Sequence, residues 1–471
     1  MRTRLIDRRT FLRRSADAAA LSLIAPGAWA CARSDGERPI ADGPDLILIM
    51  ADDMGFADTS LYGRSDYTTP VLDGLAREGV RLTQAYSSAP VCSPTRVALM
   101  TGRYPARLEV GLHEPLTTHP IGLSADLPTL PRRLHDAGYD TALVGKWHLG
   151  LAPEFHPLRH GFNEFFGHLG AAIDYVDHTG TEHRERDLFD GTEPARVSGY
   201  ATDLFTDRAV EIVSRARTRP LFLSLQYNAP HWPWQAPGDP PTPDSLRWKG
   251  GGSLDTYARM MKSLDDGVGR VLQALRDAGR ENDALVVFTS DNGGEVFSDM
   301  GPLRNRKMTL WEGGIRVAAF ARWPGVIAAD ATTDQVTTTM DWTATLLAAG
   351  GALPDPAALD GIDVMAQLRG AAPVPRDVFW RTFQRTRHKA VRSGDWKYLV
   401  TEDGEFLFDL SADPGESNDL HVSGSDTFAR LKAMLASWEA EMLEVIPLDP
   451  RFALHRPEAP GDTFAVRGSR A

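Results

Sequence analysis

A cysteine stands where a helix is predicted to begin. Cys92 is followed by Pro94, a residue that suits the first turn of a helix, and Gly102 suits the end of the same helix. Unpaired amides and the helix dipole at an N-terminus favour anions and lower the pKa of a thiol. The position therefore fits a nucleophile or a contact to an oxyanion, and a buried, inert cysteine is the alternative.

Carboxylates and an amide follow two of the apolar runs in the sequence. Asp52 and Asp53 come directly after one run, and Asp291 and Asn292 come directly after another. A doubled aspartate alone more often caps a helix or faces solvent. Together the four side chains offer oxygen donors without a cage of histidines or cysteines, which suits calcium or magnesium.

Basic side chains and imidazoles follow other apolar runs. Lys146 and His148 follow one run, His231 follows another, and Arg96 lies one helical turn after Cys92. A lone histidine or lysine is usually structural or solvated. Only their shared placement after predicted strands makes these residues candidates for catalysis. Fixed positive charge and proton donors suit a reaction whose transition state is anionic.

The elements that must position these residues alternate along the chain. Four short apolar runs are predicted as strands buried on both faces of a sheet: Leu46 to Met50, Thr141 to Val144, Leu221 to Tyr227 and Leu285 to Ser290. Helical patterns lie between them: Thr69 to Glu78, Leu127 to Ala137, Asp203 to Arg217 and Leu254 to Ala278. The alternation predicts an α/β fold with a large, mainly parallel (mixed) sheet flanked by helices. Ligands of such folds lie outside the carboxyl ends of the strands, so side chains up to about 240 positions apart would converge there.

The pattern changes after residue 375. Short strand candidates separated by turn residues predict a small antiparallel sheet: Val378 to Phe383, Lys389 to Val391, Trp396 to Val400 and Phe406 to Leu410. A helix over Thr427 to Val445 is predicted to pack on it, and the connector before it is rich in proline and alanine. We therefore predict a large α/β domain over residues 44–375, a smaller C-terminal antiparallel-sheet domain over 376–450, and a tail over 451–471.

Composition and charge narrow the class of protein. The 471 residues are 42% hydrophobic and 24% charged, which describes a foldable globular protein. Lysine and arginine number 51 against 63 acids, so the formal net charge is −12, which argues against nucleic acid as the main partner. The two cysteines, Cys31 and Cys92, exclude a disulfide framework and a zinc site built from several thiolates.

The first thirty residues are predicted to be an export signal peptide. Arg8 and Arg9 precede an alanine-rich apolar stretch that runs to Ala30, which resembles a twin-arginine export signal. That stretch is too short to span a bilayer, and no other segment is apolar over the roughly 18 residues that a spanning helix needs. The mature protein is therefore expected in the periplasm or outside the cell, with no spanning membrane segment.

The end of this signal leaves an alternative open. Ala28-Trp29-Ala30 has the small-x-small pattern of a leader peptidase site, so cleavage would leave Cys31 at or near the mature N-terminus. A lipid anchor on Cys31 is the second interpretation, and an ordinary basic, flexible N-terminus is the third. In an oxidising compartment Cys92 would have no partner thiol.

Several stretches resemble the type I sulfatase family of the alkaline-phosphatase superfamily. Cys92-Ser93-Pro94-Thr95-Arg96, continued to Thr101-Gly102, is similar to the signature in which the cysteine is oxidised to formylglycine, and Gly138 to His148 is similar to the second signature. Further family motifs occur in the expected order: Asp52-Asp53, Pro230-His231, Ser290 to Gly294, Pro302 to Lys307 and Glu312-Gly313-Gly314. The resemblance extends from about Pro44 to Leu420.

The resemblance implies an arylsulfatase-like enzyme that hydrolyses sulfate monoesters of aryl or carbohydrate alcohols. It also implies a calcium ion held by Asp52, Asp53, Asp291 and Asn292, with the modified side chain of Cys92 as a further ligand. The implied partners are a sulfated small molecule or glycan, a formylglycine-generating maturation enzyme, and the twin-arginine export machinery.

The resemblance also implies a role for each basic residue. Lys146 and Lys307 would contact the sulfate and the leaving oxygen, and Arg96 would steady the hydroxyls of the nucleophile. His148 and His231 are candidates for general base and general acid, with His231 favoured as the proton donor to the departing alcohol.

The implied nucleophile is a hydrated formylglycine at residue 92. One hydroxyl attacks sulfur in line and expels the alcohol, and the second, deprotonated by a base, expels sulfate and restores the aldehyde. A serine or a cysteine lacks that second hydroxyl and is expected to stall.

One departure and two rival functions remain. Asn305-Arg306 replaces a glycine-rich pair before Lys307, which puts the shape of that loop in question. Trp232 and Trp234 are expected either to form an aromatic surface near the substrate or to pack within an ordinary loop. The rival functions are a phosphomonoester or phosphonate hydrolase on the same scaffold and a catalytically inactive binder of sulfated glycans.

Overall fold

Seven consecutive buried residues form the central strand of a large sheet. In the computed structural model the strand Asp45–Ala51 pairs in parallel with a neighbour on each side. Leu46 and Leu48 pack into the core on one face of this strand, and Ile47 and Ile49 pack into the core on the other. The continuous apolar run is therefore explained by burial on both faces.

The structure describes residues 43–116, 120–182, 184–243, 250–382 and 386–445. The predicted export signal over residues 1–30, the alternative anchor at Cys31 and the predicted tail over 451–471 lie outside the described residues. Within those ranges, no helix combines the length and the apolar composition that crossing a bilayer requires.

The strands are numbered in chain order. They are β1 (Asp45–Ala51), β2 (Val80–Leu82), β3 (Ala85–Tyr86), β4 (Asp140–Lys146), β5 (Glu164–His168), β6 (Phe189–Asp190), β7 (Glu193–Pro194), β8 (Leu221–Gln226), β9 (Ala284–Ser290), β10 (Ala319–Arg322), β11 (Ala331–Thr333), β12 (Thr337–Thr338), β13 (Asp377–Arg381), β14 (Lys389–Ser393), β15 (Trp396–Thr401) and β16 (Gly404–Asp409).

The α-helices are numbered in the same way. They are α1 (Pro70–Arg77), α2 (Cys92–Thr101), α3 (Glu109–Leu112), α4 (Leu130–Asp136), α5 (Ala201–Ser214), α6 (Leu254–Asp277), α7 (Glu312–Ile315), α8 (Thr339–Ala349), α9 (Met365–Leu368) and α10 (Ser425–Glu439). Short 3₁₀ helices lie at Ser60–Tyr62, Pro105–Arg107, Pro153–Phe155, Pro157–His160, Glu281–Asp283 and Pro356–Ala358.

The large sheet is parallel at its centre and antiparallel toward its edges. Among the described residues its strand order is β11-β2-β10-β9-β1-β8-β4-β5-β6-β7. The pairs of β1 with β8 and β9, and of β4 with β8 and β5, are parallel, whereas β10 is antiparallel to β9 and β6 is antiparallel to β5. The predicted mixed sheet is confirmed, and each of the four predicted runs is one of its strands.

Helices cover both faces of the large sheet. Leu72 of α1, Phe205 of α5 and Leu264 of α6 belong to the core on one face. Leu99 of α2 and Leu346 of α8 belong to the core on the other face. Because β1, β4, β8 and β9 are parallel neighbours, their carboxyl ends meet at one edge of the sheet, as the sequence predicts.

A small antiparallel sheet follows the large one in the chain. Strands β13, β14, β15 and β16 pair in sequence order, and α10 packs on one face through Leu431 and Leu435. The other face packs against Leu310, Trp311 and Ile315, which follow the loop of Lys307. The predicted small sheet and its helix are confirmed. The described residues on both sides of residue 375 fall in one compact unit, so the domain boundary there stays a prediction.

Buried charges join the small sheet to the loop that carries Lys307. The Nζ of Lys397, on β15, lies 2.9 Å from Glu312 Oε1 and 2.8 Å from Glu416 Oε1, and all three side chains are fully buried. The backbone amide of Glu312 donates to Glu416 Oε2 at 2.6 Å. Burial, together with the charge of Glu312, raises the pKa of Glu416 to about 7, although Lys397 opposes this shift.

This arrangement predicts a pH dependence of stability. The folded chain holds a proton on Glu416 up to about pH 7, whereas the unfolded carboxyl releases it near its ordinary pKa of about 4.3. The unfolded state therefore binds fewer protons between these two pKa values, so the contribution of Glu416 to the free energy of unfolding falls as the pH rises from about 4 to 7. We expect Glu416→Gln to flatten this slope in denaturant titrations.

The matched control is Glu405→Gln, a carboxyl on β16 that pairs with Lys432 at the surface. It should leave the slope as it is in the wild type. Equal slopes for Glu416→Gln and the wild type would contradict the assignment of the proton to Glu416.

Candidate active site

Helix α2 begins at Cys92 and delivers it to the carboxyl edge of the large sheet. Val91 is extended and ends the preceding segment, and every residue of the helix is buried. Gly102 ends the helix at a φ of 66°, in the left-handed region that glycine adopts without strain. The helix predicted from Pro94 and Gly102 is confirmed.

The Cys92 side chain lies among carboxylates and an ammonium group. Its Sγ is 3.3 Å from Asp52 Oδ1, 3.9 Å from Asp53 Oδ1 and 3.2 Å from Lys307 Nζ. Burial and the charges of Asp291 and Asp52 raise the pKa of the thiol well above its ordinary value. The expected lowering by the helix N-terminus is wrong, because loss of hydration and the neighbouring carboxylates outweigh the dipole.

Two buried lysines each bind one of the paired aspartates. Lys146 Nζ lies 2.6 Å from Asp52 Oδ2, and Lys307 Nζ lies 2.7 Å from Asp53 Oδ2. Burial opposes their charge, but Asp52 raises the pKa of Lys146 and Asp53 raises the pKa of Lys307 well above the ordinary value. Both ammonium groups therefore stay charged inside the site.

Arg96 holds the far side of the same cluster. Its Nη2 is 3.1 Å from Asp291 Oδ2, and its Nη1 donates to the Lys146 carbonyl and to Gln226 Oε1, both at 3.1 Å. The guanidinium thus connects, through hydrogen bonds, residues at the carboxyl ends of β4, β8 and β9. Sequence reasoning missed Gln226, although it stands at the end of a predicted strand and carries a hydrogen-bonding side chain.

Three of the residues predicted to hold a cation converge with His231, which was not predicted as a ligand, and the cluster is compatible with a metal site. One ligand atom each from Asp52, Asp53, Cys92 and His231 lies within 4.8 Å of the others. Asn292 Oδ1 is buried without a hydrogen-bond partner among the described residues, while its Nδ2 donates to Asp53 Oδ1 at 2.7 Å. An unsatisfied buried oxygen beside two carboxylates is the donor set that calcium or magnesium takes.

Asp291 is the predicted ligand most engaged by the protein itself. Its Oδ1 accepts from the Asp53 backbone amide at 3.1 Å, and its Oδ2 faces Arg96. Burial and the charge of Asp52 raise the pKa of Asp291, although Arg96 lowers it. A cation near Asp52 would relieve the repulsion between these carboxylates.

His231 is buried next to Asp53 in the same cluster. Its Nε2 is 3.5 Å from Asp53 Oδ2, and its Nδ1 faces the Trp232 carbonyl oxygen. A carbonyl accepts, so Nδ1 carries a hydrogen and Nε2 is the nitrogen that can exchange a proton with a ligand. Burial lowers the pKa of His231 to about 3 despite the attraction of Asp53.

His148 also reaches the site, and a neighbour that sequence reasoning missed reaches it too. His148 follows β4 with a φ of 55°, and its backbone amide donates to the Leu169 carbonyl at 3.1 Å. Its Nε2 lies 4.0 Å from Glu114 Oε1. Glu114 follows the short helix α3 and belongs to none of the motifs in the sequence, so only the fold brings it here.

The loop before Lys307 places this lysine beside Asp53 despite the sequence departure. Asn305 has a φ of 60°, a conformation that asparagine tolerates better than most residues. The backbone amide of Lys307 donates to the Gly294 carbonyl at 3.2 Å, which fixes the lysine next to Asp53. Asn305 therefore supplies the backbone shape for which a glycine would serve.

The two tryptophans after His231 are buried by packing rather than exposed on a surface. Trp232 and Trp234 are each 6% exposed, and the ring of Trp234 packs edge-on against Phe297 with centroids 4.8 Å apart. The structure supports the packing interpretation over an aromatic surface at these two positions.

Comparison with known proteins gives the same family along most of the chain. The sequence model of the Sulfatase family matches residues 44–352, and a model of the N-sulphoglucosamine sulphohydrolase C-terminal region matches residues 305–442. The chain is 34% identical to N-acetylgalactosamine-6-sulfatase of Rattus norvegicus, over 75% of this chain and 71% of that protein. It is 33% identical to arylsulfatase A of Bos taurus, over 81% and 84%.

A solved structure shares the fold. Ps i-CgsB, in a complex with k-i-k-neocarrahexaose, superimposes with a TM-score of 0.78 and is 29% identical. The match covers 85% of this chain and 94% of that one.

Proposed function

Because this chain belongs to the sulfatase family and is a sulfuric ester hydrolase, we propose that it cleaves sulfate monoesters of carbohydrates through a formylglycine at residue 92. The observation that carries the proposal is the environment of Cys92. The side chain that begins α2 contacts Asp52, Asp53 and Lys307 at once.

The unmodified thiol is poorly suited to act as the nucleophile in this site. With a pKa well above the ordinary value, Cys92 carries very little thiolate, and the thiolate is the reactive form of cysteine. A hydrated formylglycine supplies two hydroxyls on one carbon, one to attack sulfur and one whose deprotonation releases the sulfate. The proposal includes a formylglycine-generating enzyme as the maturation partner.

The cation of the proposal is calcium, held by Asp52, Asp53, Asp291, Asn292 and the side chain of residue 92. When bound, it supplies Lewis-acid stabilisation of negative charge at the nucleophile and at a sulfate oxygen. The unpartnered Asn292 Oδ1 and the clustered carboxylates support this choice over a site for a softer metal.

The charge balance of the site suits an anionic ester. Lys146, Lys307 and Arg96 oppose the carboxylates of Asp52, Asp53 and Asp291, and these described groups alone sum to zero. A divalent cation would leave two positive charges for the substrate. Sulfate monoesters bring one negative charge and phosphate monoesters bring up to two, so the balance alone admits both.

The chain's own side chains divide the remaining work. Lys146 and Lys307 bind the peripheral oxygens and the leaving oxygen of the sulfate, where negative charge develops. His231 holds Nδ1–H toward the Trp232 carbonyl, so a second proton can bind only at Nε2. The negative charge of a bound ester favours that doubly protonated form, which gives the Nε2 proton to the departing alcohol and returns to the neutral imidazole. Arg96, in the first turns of α2, holds the carboxylates of Asp52 and Asp291 in position.

Relatives and structural neighbours support a carbohydrate as the alcohol. N-acetylgalactosamine-6-sulfatase has a sugar sulfate in its name, and Ps i-CgsB was solved in complex with k-i-k-neocarrahexaose. Arylsulfatase A supports an aryl sulfate as the runner-up substrate. A panel of defined sulfated sugars and aryl sulfates, scored by release of inorganic sulfate, distinguishes the two.

We expect the matured enzyme to prefer sulfate over phosphate esters. Its kcat/KM on nitrophenyl sulfate should exceed that on nitrophenyl phosphate by at least about tenfold, which corresponds to about 1.4 kcal/mol of transition-state binding. A reversed ratio would favour the phosphomonoester or phosphonate hydrolase. Glycan binding that does not depend on Cys92, with no sulfate release, would favour the inactive binder.

The proposal places the mature enzyme in the periplasm or outside the cell. Its support is the twin-arginine pattern at Arg8 and Arg9 with the apolar stretch that runs to Ala30. The proposed partner for this step is the twin-arginine export machinery, and a lipid anchor at Cys31 is the alternative fate of the N-terminus.

A further inference from the structure

His148 is a buried imidazole whose hydrogen-bonding capacity is unused. Its side chain is 1% exposed, and neither Nδ1 nor Nε2 has a hydrogen-bond partner among the described residues. A buried polar group without a partner carries a desolvation cost and is usually explained by a ligand, a water or a catalytic role. The environment of this ring therefore defines what it can do.

Cationic groups dominate the surroundings of this ring. Burial, and then the charges of Lys146, Arg96, His231 and Lys307, lower the pKa of His148 well below its ordinary value. The ring is therefore neutral, with a hydrogen on one nitrogen and a lone pair on the other. Which nitrogen carries the hydrogen depends on the partner that each one meets.

Glu114 is the charged group of opposite sign next to this ring. Its Oε1 lies 4.0 Å from His148 Nε2, and its side chain is 17% exposed. The distance exceeds a hydrogen bond by about 1 Å. Catalytic hydrogen bonds are often this long in ligand-free enzymes and shorten when substrate binds.

We propose that Glu114 is a positioning residue for His148: its carboxylate holds the hydrogen on Nε2 and so keeps the lone pair of Nδ1 available to accept a proton during turnover. The inference rests on the proposed function, because it assigns His148 as the base in that reaction. A carboxylate that orients a histidine in this way is a recurrent device, found on unrelated folds.

The structure also explains why the carboxylate is needed here. Lys146 is two positions before His148 in the chain, and its charge repels a proton from the ring. The Glu114 carboxylate next to Nε2 favours the tautomer that carries its hydrogen on that nitrogen. Without it, both tautomers of His148 would be populated, and part of the enzyme would present N–H where a lone pair is required.

The test compares Glu114→Gln with the wild type, both matured and calcium-loaded. The amide is close to isosteric with the carboxylate but carries no charge, so we expect kcat on nitrophenyl sulfate to fall about tenfold to a hundredfold, with KM changed less than about twofold. Glu109→Gln, an exposed carboxyl on α3 close in sequence, is the matched control and should behave as the wild type.

A readout independent of turnover tests the positioning itself. In enzyme labelled with ¹⁵N-histidine, assigned with a His148→Gln variant, the wild type should show Nε2 protonated and Nδ1 unprotonated. In Glu114→Gln the two nitrogen signals should shift toward each other as the tautomers mix. Equal melting temperatures of the variant and the wild type would show that the fold is intact.

Two results would overturn the inference. One is an unchanged kcat in Glu114→Gln, and the other is a reduced kcat with the His148 nitrogen signals of the wild type. Failure of the proposed function is distinguishable, since it would appear in the wild type as an unmodified Cys92 by peptide mass or as no sulfate release.

Discussion

Replacing Cys92 by serine is expected to lower kcat on sulfate esters by about three orders of magnitude or more, because the new side chain offers one hydroxyl where the proposed chemistry uses two. Serine has nearly the size of cysteine and can donate to Asp52 in the same pocket. The melting temperature should therefore change by less than about 3 °C, so the loss is chemical rather than structural. Sulfate release and thermal denaturation measure the two effects.

The same experiment includes a test of the modification in the wild type. In the wild type, the peptide that carries residue 92 should resist thiol alkylation and should react with a hydrazide, whereas in the serine variant it should react with neither reagent. Ser93→Ala is the matched control, because the Ser93 hydroxyl is buried and has no hydrogen-bond partner among the described residues. An active wild type whose peptide contains only intact cysteine would refute the formylglycine proposal.

Replacing Asp53 by asparagine should abolish both turnover and the response to calcium. Asp53 contacts more of the site than its neighbours do: its carboxylate lies next to Lys307, His231 and Asn292. Burial opposes its charge, but Lys307 and His231 hold the pKa of Asp53 below its ordinary value. Asparagine tolerates the φ of 64° at this position, so the backbone can stay as it is.

The expected magnitudes follow from the buried charge of Lys307. Without Asp53 the buried ammonium keeps, among the described carboxylates, only the more distant Glu295, at 4.0 Å, and loss of the close pair costs about 3–5 kcal/mol of unfolding free energy. Calcium at about 100 times its dissociation constant should stabilise the wild type by about 2.7 kcal/mol and the variant hardly at all. Thermal denaturation with calcium and with a chelator measures both quantities.

A double variant separates the effect of the unbalanced buried charge on stability from the loss of activity. Asp53→Asn with Lys307→Met removes both members of the pair, so most of the stability should return while activity and calcium response stay lost. Asp266→Asn, whose surface partner is Lys262, is the matched control and should change neither property. A calcium-dependent gain of stability in Asp53→Asn equal to that of the wild type would remove Asp53 from the cation site.

Local patterns predicted the scaffold well because they reflect local physics. The run from Leu46 to Met50 has no polar position and indicated a strand buried on both faces; the structure places β1 between two parallel neighbours. Pro94 and Gly102 marked the two ends of α2 because one fits a first turn and the other a left-handed cap. Such signals depend on residues close together in the chain.

Convergence of the site was also predictable from sequence, in outline. Polar residues at the ends of parallel strands must meet at one edge, so Asp52, Lys146, His231 and Asp291 were expected together, and their contacts confirm that expectation. Their pairing was not predictable. Which lysine binds which aspartate depends on side-chain directions at the sheet edge, and these are set by packing across more than 90 positions of sequence.

Tertiary structure alone decided the electrostatics. The sequence placed Cys92 at a helix N-terminus and so indicated a lowered pKa, but burial beside Asp52 and Asp291 raises it. Glu114 and Glu416 carry no motif, yet the fold sets one beside His148 and the other beside Lys397. Sequence determined which groups are present and on which elements they stand; their ionisation and their partners depend on distance and dielectric environment, which exist only in the folded chain.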